Sequence, residues 1–121
     1  MRPEVIHTAE FTCRECGAVA GRVSVVPSPT GTRNRLVLSV FIEMWEEMSK
    51  DGTYADAIAA IDAGDARALW KGWFEWAPFY CPECDACYCS DHWRQWMEFD
   101  EGFYDYTQGV CPRGHERMLL D

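Results

Sequence analysis

The sequence predicts a small α+β domain in which bound metal, as well as apolar burial, holds the chain together. Three observations predict it. Cysteine and histidine recur as four closely spaced pairs, at Cys13/Cys16, Cys81/Cys84, Cys89/His92 and Cys111/His115. Between the pairs, β-rich runs alternate with stretches of helical spacing. The 121 residues are enough for one domain and too few for two, and with 48% hydrophobic residues and six Trp they carry the material for a core.

The first zone holds Cys13, Cys16, Gly17 and Gly21 and then the run Val23-Ser24-Val25-Val26, which reads as a metal knuckle leading into a strand. Pro27 to Thr32 is a loop. The middle zone, Arg33 to Trp76, has no cysteine. In it Leu36 to Phe41 reads as a strand. Ile42, Met44, Trp45 and Met48 fall at helical spacing with acids opposite, and Asp51-Gly52 stops that helix. Thr53 with Asp56 forms a capping pair for a second helix through Ile58 and Ile61, ended by Gly64. Asp65 caps a third through Ala66, Leu69 and Trp70. These apolar stripes are core positions. In the last zone Ser90 or Asp91 caps a helix through Trp93, Trp96 and Met97, Asp100-Glu101-Gly102 is a turn, and Phe103 to Val110 is a strand. The organisation expected is a single domain over 1–121, with a zinc-binding core at 11–26 and 77–121 and an inserted α+β segment at 27–76.

Short Cys-x2-Cys turns place two sulfurs near one point, with backbone N–H groups aimed at the thiolates, and zinc takes four such ligands in a tetrahedron. Eight ligands therefore make two closed zinc sites. Two pairings are open. In the sequential one, Cys13, Cys16, Cys81 and Cys84 share a metal and Cys89, His92, Cys111 and His115 share the other. In the interleaved one, Cys13 and Cys16 join Cys89 and His92, while Cys81 and Cys84 join Cys111 and His115. The interleaved form is preferred, because only four residues separate Cys84 from Cys89, too few for both pairs to wrap one ion. Histidine in both sets favours zinc over iron. Cys87 is the surplus thiol, with three readings: a small buried side chain, a ligand in place of Cys89, or a nucleophile.

Full ligand sets leave no open position for an activated water, and no His-Glu-x-x-His motif occurs, so no catalytic residue is assigned. Cys81-Pro82-Glu83-Cys84 has the form of a redox Cys-x-x-Cys, but such motifs follow a strand early in a βαβ unit and this one lies late.

The order of the pairs, ending in Cys111-Pro112-Arg113-Gly114-His115, resembles the cross-brace of RING and RING-like zinc fingers. The run from Cys81 to Trp93 is also similar to in-between-RING modules and to treble-clef fingers. The resemblance covers residues 11–16 and 79–117. It implies two interleaved structural zinc sites around a central helix. It also implies a docking groove for a ubiquitin-conjugating enzyme, built from Trp93 or Trp96, Pro112 and Arg113 or Arg117.

Lys plus Arg number 11 and Asp plus Glu 20, a net charge of −9, which disfavours binding to a phosphate backbone. Aromatics between Trp93 and Tyr106 alternate with acids, which suits a protein-binding edge better than a nucleic-acid stacking surface. The function expected is a zinc-binding protein-interaction module or adaptor. The alternatives are a RING-like ligase or ligase subunit and, less favoured, a nucleic-acid-binding zinc protein. Seven cysteines cannot all pair as disulfides, Met1 to Glu10 has no secretory pattern, and the longest apolar run, Leu36 to Ile42, is far too short to span a bilayer. A cytoplasmic location is expected.

Overall fold

A computed structural model describes residues 6–29, 33–49 and 52–121. Residues 30–32 of the expected loop and Asp51 of the expected helix stop lie outside them, as do residues 1–5 and 50. Strands β1 (His7–Thr12), β2 (Val19–Pro27), β3 (Asn34–Ser39) and β4 (Met44–Glu47) form an antiparallel sheet in chain order. Helices α1 (Ala55–Ala63) and α2 (Ala66–Gly72) follow, then a 3-10 turn over Phe74–Trp76. A two-stranded hairpin, β5 (Tyr80–Cys81) and β6 (Ala86–Cys87), leads to a second antiparallel sheet of β7 (Arg94–Asp100), β8 (Phe103–Val110) and β9 (Glu116–Leu120).

This corrects the α+β expectation: the fold is mostly β, with three antiparallel sheets and two short helices among the described residues. Two segments account for the difference. The helical spacing over Ile42 to Met48 predicts a helix, yet Met44–Glu47 pairs with β3, Leu38 opposite Met44 and Arg35 opposite Glu47. A handful of apolar positions does not separate a period of 3.6 from one of 2, and the open edge of β3 supplies a ladder of backbone partners. Likewise the expected helix through Trp93, Trp96 and Met97 does not form. Arg94–Asp100 pairs with β8 along its length. The deciding element is the turn. Glu101 (φ 50°) and Gly102 (φ 84°) are both left-handed, the two-residue geometry whose twist matches paired strands. Once it closes, the Trp, Met and Phe of β7 continue a ladder for which they have good propensity.

The helices follow their sequence signals more closely. Gly64 ends α1 in the left-handed conformation (φ 63°), and the Asp65 carboxylate accepts the Ala68 N–H at 3.1 Å to start α2. Helix α1 begins with Tyr54 at the cap position and no side-chain cap bond there, one residue past the expected Thr53.

Strand β3, in the segment after β2, hydrogen-bonds directly to β2. Ala9 and Phe11 of β1, Val23 and Val25 of β2 and Leu36 and Leu38 of β3 share one sheet face. Ala57, Ala60 and Ile61 of α1 and Leu69 of α2 join them in the core. Each large aliphatic buried there contributes about 1.5–3 kcal/mol. Phe79 links this core to the rest. Its ring stacks on Phe11 at 5.0 Å and lies against Gly21, where any Cβ would overlap it. Its carbonyl accepts the Trp93 indole N–H at 3.2 Å. In the other sheet Gly109 leaves the space filled by Leu119 and Trp93. No helix among the described residues is long and apolar enough to cross a membrane.

Candidate metal centres

Each of the four Cys/His pairs sits where the chain reverses between elements. Cys13 and Cys16 occupy the turn from β1 to β2, Cys81 and Cys84 the turn from β5 to β6, Cys89 and His92 the link from β6 to β7, and Cys111 and His115 the turn from β8 to β9. The turns are tight for identifiable reasons. Gly17 (φ 76°) follows Cys16 and Asp85 (φ 50°) follows Cys84, both left-handed, and Gly114 (φ 90°) bends the last turn. Backbone bonds close them: Gly17 N–H to Cys13 O at 2.8 Å, His92 N–H to Cys89 O at 2.9 Å and Gly114 N–H to Cys111 O at 2.9 Å.

The eight side chains converge as two groups, Cys13, Cys16, Cys89 and His92 in one and Cys81, Cys84, Cys111 and His115 in the other. Within each group all four candidate ligand atoms lie within 4.8 Å of one another, so each group could hold a metal ion. The pairing is the interleaved one. The β5–β6 hairpin supplies Cys81 and Cys84 to the group completed by the β8–β9 turn of the three-stranded sheet, and the link after it supplies Cys89 and His92 to the group completed by the β1–β2 turn of the four-stranded sheet.

The spacings test what ion fits. A tetrahedral zinc with S at about 2.3 Å and N at about 2.05 Å puts sulfurs about 3.8 Å apart and S and N about 3.6 Å apart. Cys16 and Cys89 sulfurs are 3.7 Å apart, and those of Cys84 and Cys111 are 3.8 Å apart. Nδ1 of His92 lies 3.5 Å from Cys13 Sγ and 3.1 Å from Cys89 Sγ. Nδ1 of His115 lies 3.6, 3.2 and 3.4 Å from the sulfurs of Cys81, Cys84 and Cys111. Both rings therefore present Nδ1. The far nitrogen of His115, Nε2, is 3.4 Å from the Glu83 carboxylate, an outer partner that orients a metal-binding imidazole. Tyr88 supports the same reading. Its hydroxyl is buried without a hydrogen-bond partner in the described structure and lies beside Cys84, where a metal-bound thiolate would accept it.

The electrostatics divide by burial against amide donation. Burial pushes the Cys13 thiol up, but backbone N–H groups of Cys89, Cys16 and Glu15 outweigh it and bring it down to about 6. That thiolate's contribution to stability is full above its ordinary value of 9.0 and lost as pH falls through about 6. Cys111 is likewise lowered: burial opposes the shift, but the amides of His115 and Arg113 and the neighbouring sulfurs prevail. Cys81 is pushed up to about 12 by burial, with adjacent sulfurs adding to it, so that without a cation its thiol stays protonated. A metal dication reverses that balance and drives off the proton.

Cys87 belongs to neither group. It pairs with Tyr80 in the β5–β6 hairpin, and burial, with the Asp85 charge, pushes its thiol up to about 12. Those are the surroundings of a packing side chain. Cys87→Ala is expected to keep two metal equivalents per chain and to cost about 1 kcal/mol. Elemental analysis beside a thermal melt checks it, and loss of one equivalent would make Cys87 a ligand.

The remaining sequence-assigned residues scatter. Trp93 is only 3% exposed and belongs to the core, so it does not line a surface groove. Trp96 is half-buried on β7, its indole N–H donating to Glu98 at 2.7 Å, and Pro112 and Arg113 are exposed in the β8–β9 turn. Arg117, raised in the sequence only as an alternative to Arg113, instead reaches inward. Its guanidinium donates to the carbonyls of Ala77 at 2.9 Å, Tyr80 at 2.5 Å and Phe74 at 3.2 Å. Nothing in its sequence context marks that role.

No curated protein and no solved structure matches the chain. The model of one family, Domain of unknown function (DUF8328), matches residues 3–121, and the chain belongs to that family.

Proposed function

We propose that the protein is a two-zinc structural domain that acts as a non-catalytic protein-interaction module. The observation that carries the zinc reading is the pair of four-ligand sets whose S–S spacings of 3.7 and 3.8 Å match the edge of a zinc tetrahedron and whose S–N spacings of 3.1–3.6 Å lie at or just inside it. Each set is complete, which leaves the ion no open position, and every ligand sits in a turn that the ion would fasten to another turn. Such a metal stabilises and does not react.

The interaction reading rests on the β7–β8 hairpin. Met97 and Phe99 are each 62% exposed, Phe103 is 78% and Tyr104 is 46%. Large apolar side chains gathered on one arm contribute little to their own fold and suit a partner's surface. Glu98, Asp100, Glu101 and Asp105 are interspersed with them along the hairpin, the acidic residues of a polar margin.

The RING-like reading keeps one support, the cross-braced order in which the first and third pairs meet and the second and fourth pairs meet. Its groove, however, calls for a helix carrying an exposed Trp where this chain has β7 and a buried Trp93. The adaptor reading therefore stands first.

Metal analysis of the purified protein is expected to return two zinc ions per chain. The triple variant Met97→Ser/Phe99→Ser/Phe103→Ser is expected to keep both ions and to melt within about 1 kcal/mol of the parent. It should fail to co-purify a partner that the parent retains from its own cells. Identical co-purifying proteins for parent and variant would remove the hairpin from the account, and a metal count other than two would remove the zinc sites.

A further inference from the structure

A groove of about 670 Å³ lies between β4 and the corner where α2 runs into the 3-10 turn, and none of its lining residues belongs to a metal centre. Tyr54 lines it together with Trp45, Trp70, Trp73 and Trp76, so four of the chain's six tryptophans meet at one concavity. Two carboxylates, Glu46 and Glu75, line it as well. The volume falls within the roughly 300–1,000 Å³ of small-molecule sites.

The walls are held in place by contacts among themselves. Tyr54 meets Trp73 edge-on with ring centroids 4.8 Å apart. The Trp76 indole N–H donates to Glu46 at 3.1 Å, and Glu75 accepts the Asp121 backbone N–H at 3.4 Å. Neither carboxylate forms an ion pair in the described structure, and the one cation in the lining, Lys71, is solvent-exposed. The groove thus combines π-rich walls with an excess of negative charge.

That combination selects its ligand. A hard metal ion needs converging oxygens and holds its water strongly, and aromatic faces offer it neither ligand nor replacement. A neutral apolar molecule gains nothing from two carboxylates. An ammonium ion carrying methyl groups has a diffuse charge and weak hydration, so it can lie against aromatic faces while the carboxylates balance it. The fold already uses this attraction at Trp45, where the Arg35 guanidinium carbon sits 3.8 Å from the centre of the ring. We propose that the groove binds a small quaternary ammonium ion of the choline class. This site is separate from the hairpin and does not depend on the interaction reading.

The test is a titration of the metal-loaded full chain followed by NMR at the indole N–H signals of Trp70, Trp73 and Trp76. Choline is expected to shift them saturably, whereas its neutral isostere 3,3-dimethylbutan-1-ol should bind at least about fivefold more weakly. Glycine betaine, whose own carboxylate meets Glu46 and Glu75, should also bind more weakly than choline. The double variant Glu46→Gln/Glu75→Gln should lose about fivefold in choline affinity and keep its affinity for the alcohol. Glu75→Gln alone serves if the double variant does not fold. Equal binding of choline and the alcohol, shifts spread over the whole acidic surface, or no saturation by about 50 mM choline would each overturn the proposal.

Discussion

Stripping the metal with a strong chelator is expected to abolish the cooperative thermal melt. The magnitudes decide this. A structural zinc site contributes on the order of 10 kcal/mol, and the net stability of a domain is about 5–15 kcal/mol. Losing two such contributions leaves nothing to offset the conformational entropy of the chain. The geometry leads to the same outcome. Each group of ligands draws a turn of one larger sheet to the segment around β5 and β6, and those two strands are only two residues each. A two-stranded piece that short has no stability of its own in water. Cys84→Ala, which removes one ligand from the centre shared with His115, should act like partial chelation, in contrast to the mild Cys87→Ala three residues away. Calorimetry at fixed free metal concentration is the measurement, since binding shifts apparent stability by mass action. An apo chain that still melted in one sharp transition would show that Phe79 and its neighbours suffice unaided.

The second large effect is expected at Arg117. Its guanidinium binds three carbonyls from the segment between the 3-10 turn and β5. Strand β9 pairs it opposite Gly109, so the same side chain ties the three-stranded sheet to the chain entering the metal centres. Burial draws its pKa down to about 10, which still leaves it charged at neutral pH. Arg117→Met conserves length and removes every donor. With hydrogen bonds to a charged group worth about 1.5–3 kcal/mol each and the site only partly enclosed, a loss of about 3 kcal/mol is expected. For a chain of this size that is a drop of roughly 12 °C in melting temperature. Arg117→Lys should recover part of it. Arg113→Ala, at an exposed position, should stay within about 0.5 kcal/mol of the parent. Equal melting of the Met variant and the parent would mean that water satisfies those carbonyls.

How far the sequence could be read varied with the range of the interaction responsible. Gly64 and Asp65 end one helix and begin the next through bonds to residues at most five positions away, and the sequence shows both. The strand at Phe103 to Val110 and the turn before it were legible for the same reason. Ile42 to Met48 and Trp93 to Met97 were not. Their conformation depends on a partner strand, β3 in one case and β8 in the other, and the local pattern was compatible with either period. The burial of Trp93 is likewise a matter of what surrounds it, Phe79, Tyr88 and the space left by Gly109.

By itself, then, the sequence determined which side chains offer soft ligands, how they pair locally, and where α1 ends and α2 begins. These are properties of neighbouring residues and of covalent reach. Only the tertiary structure decided which turns meet, that β-strands replace two expected helices, and that Arg117 turns inward while Met97, Phe99 and Phe103 stay outside. Each of those outcomes depends on backbone groups and surfaces brought together from distant parts of the chain, and spacing along the chain carries no record of them.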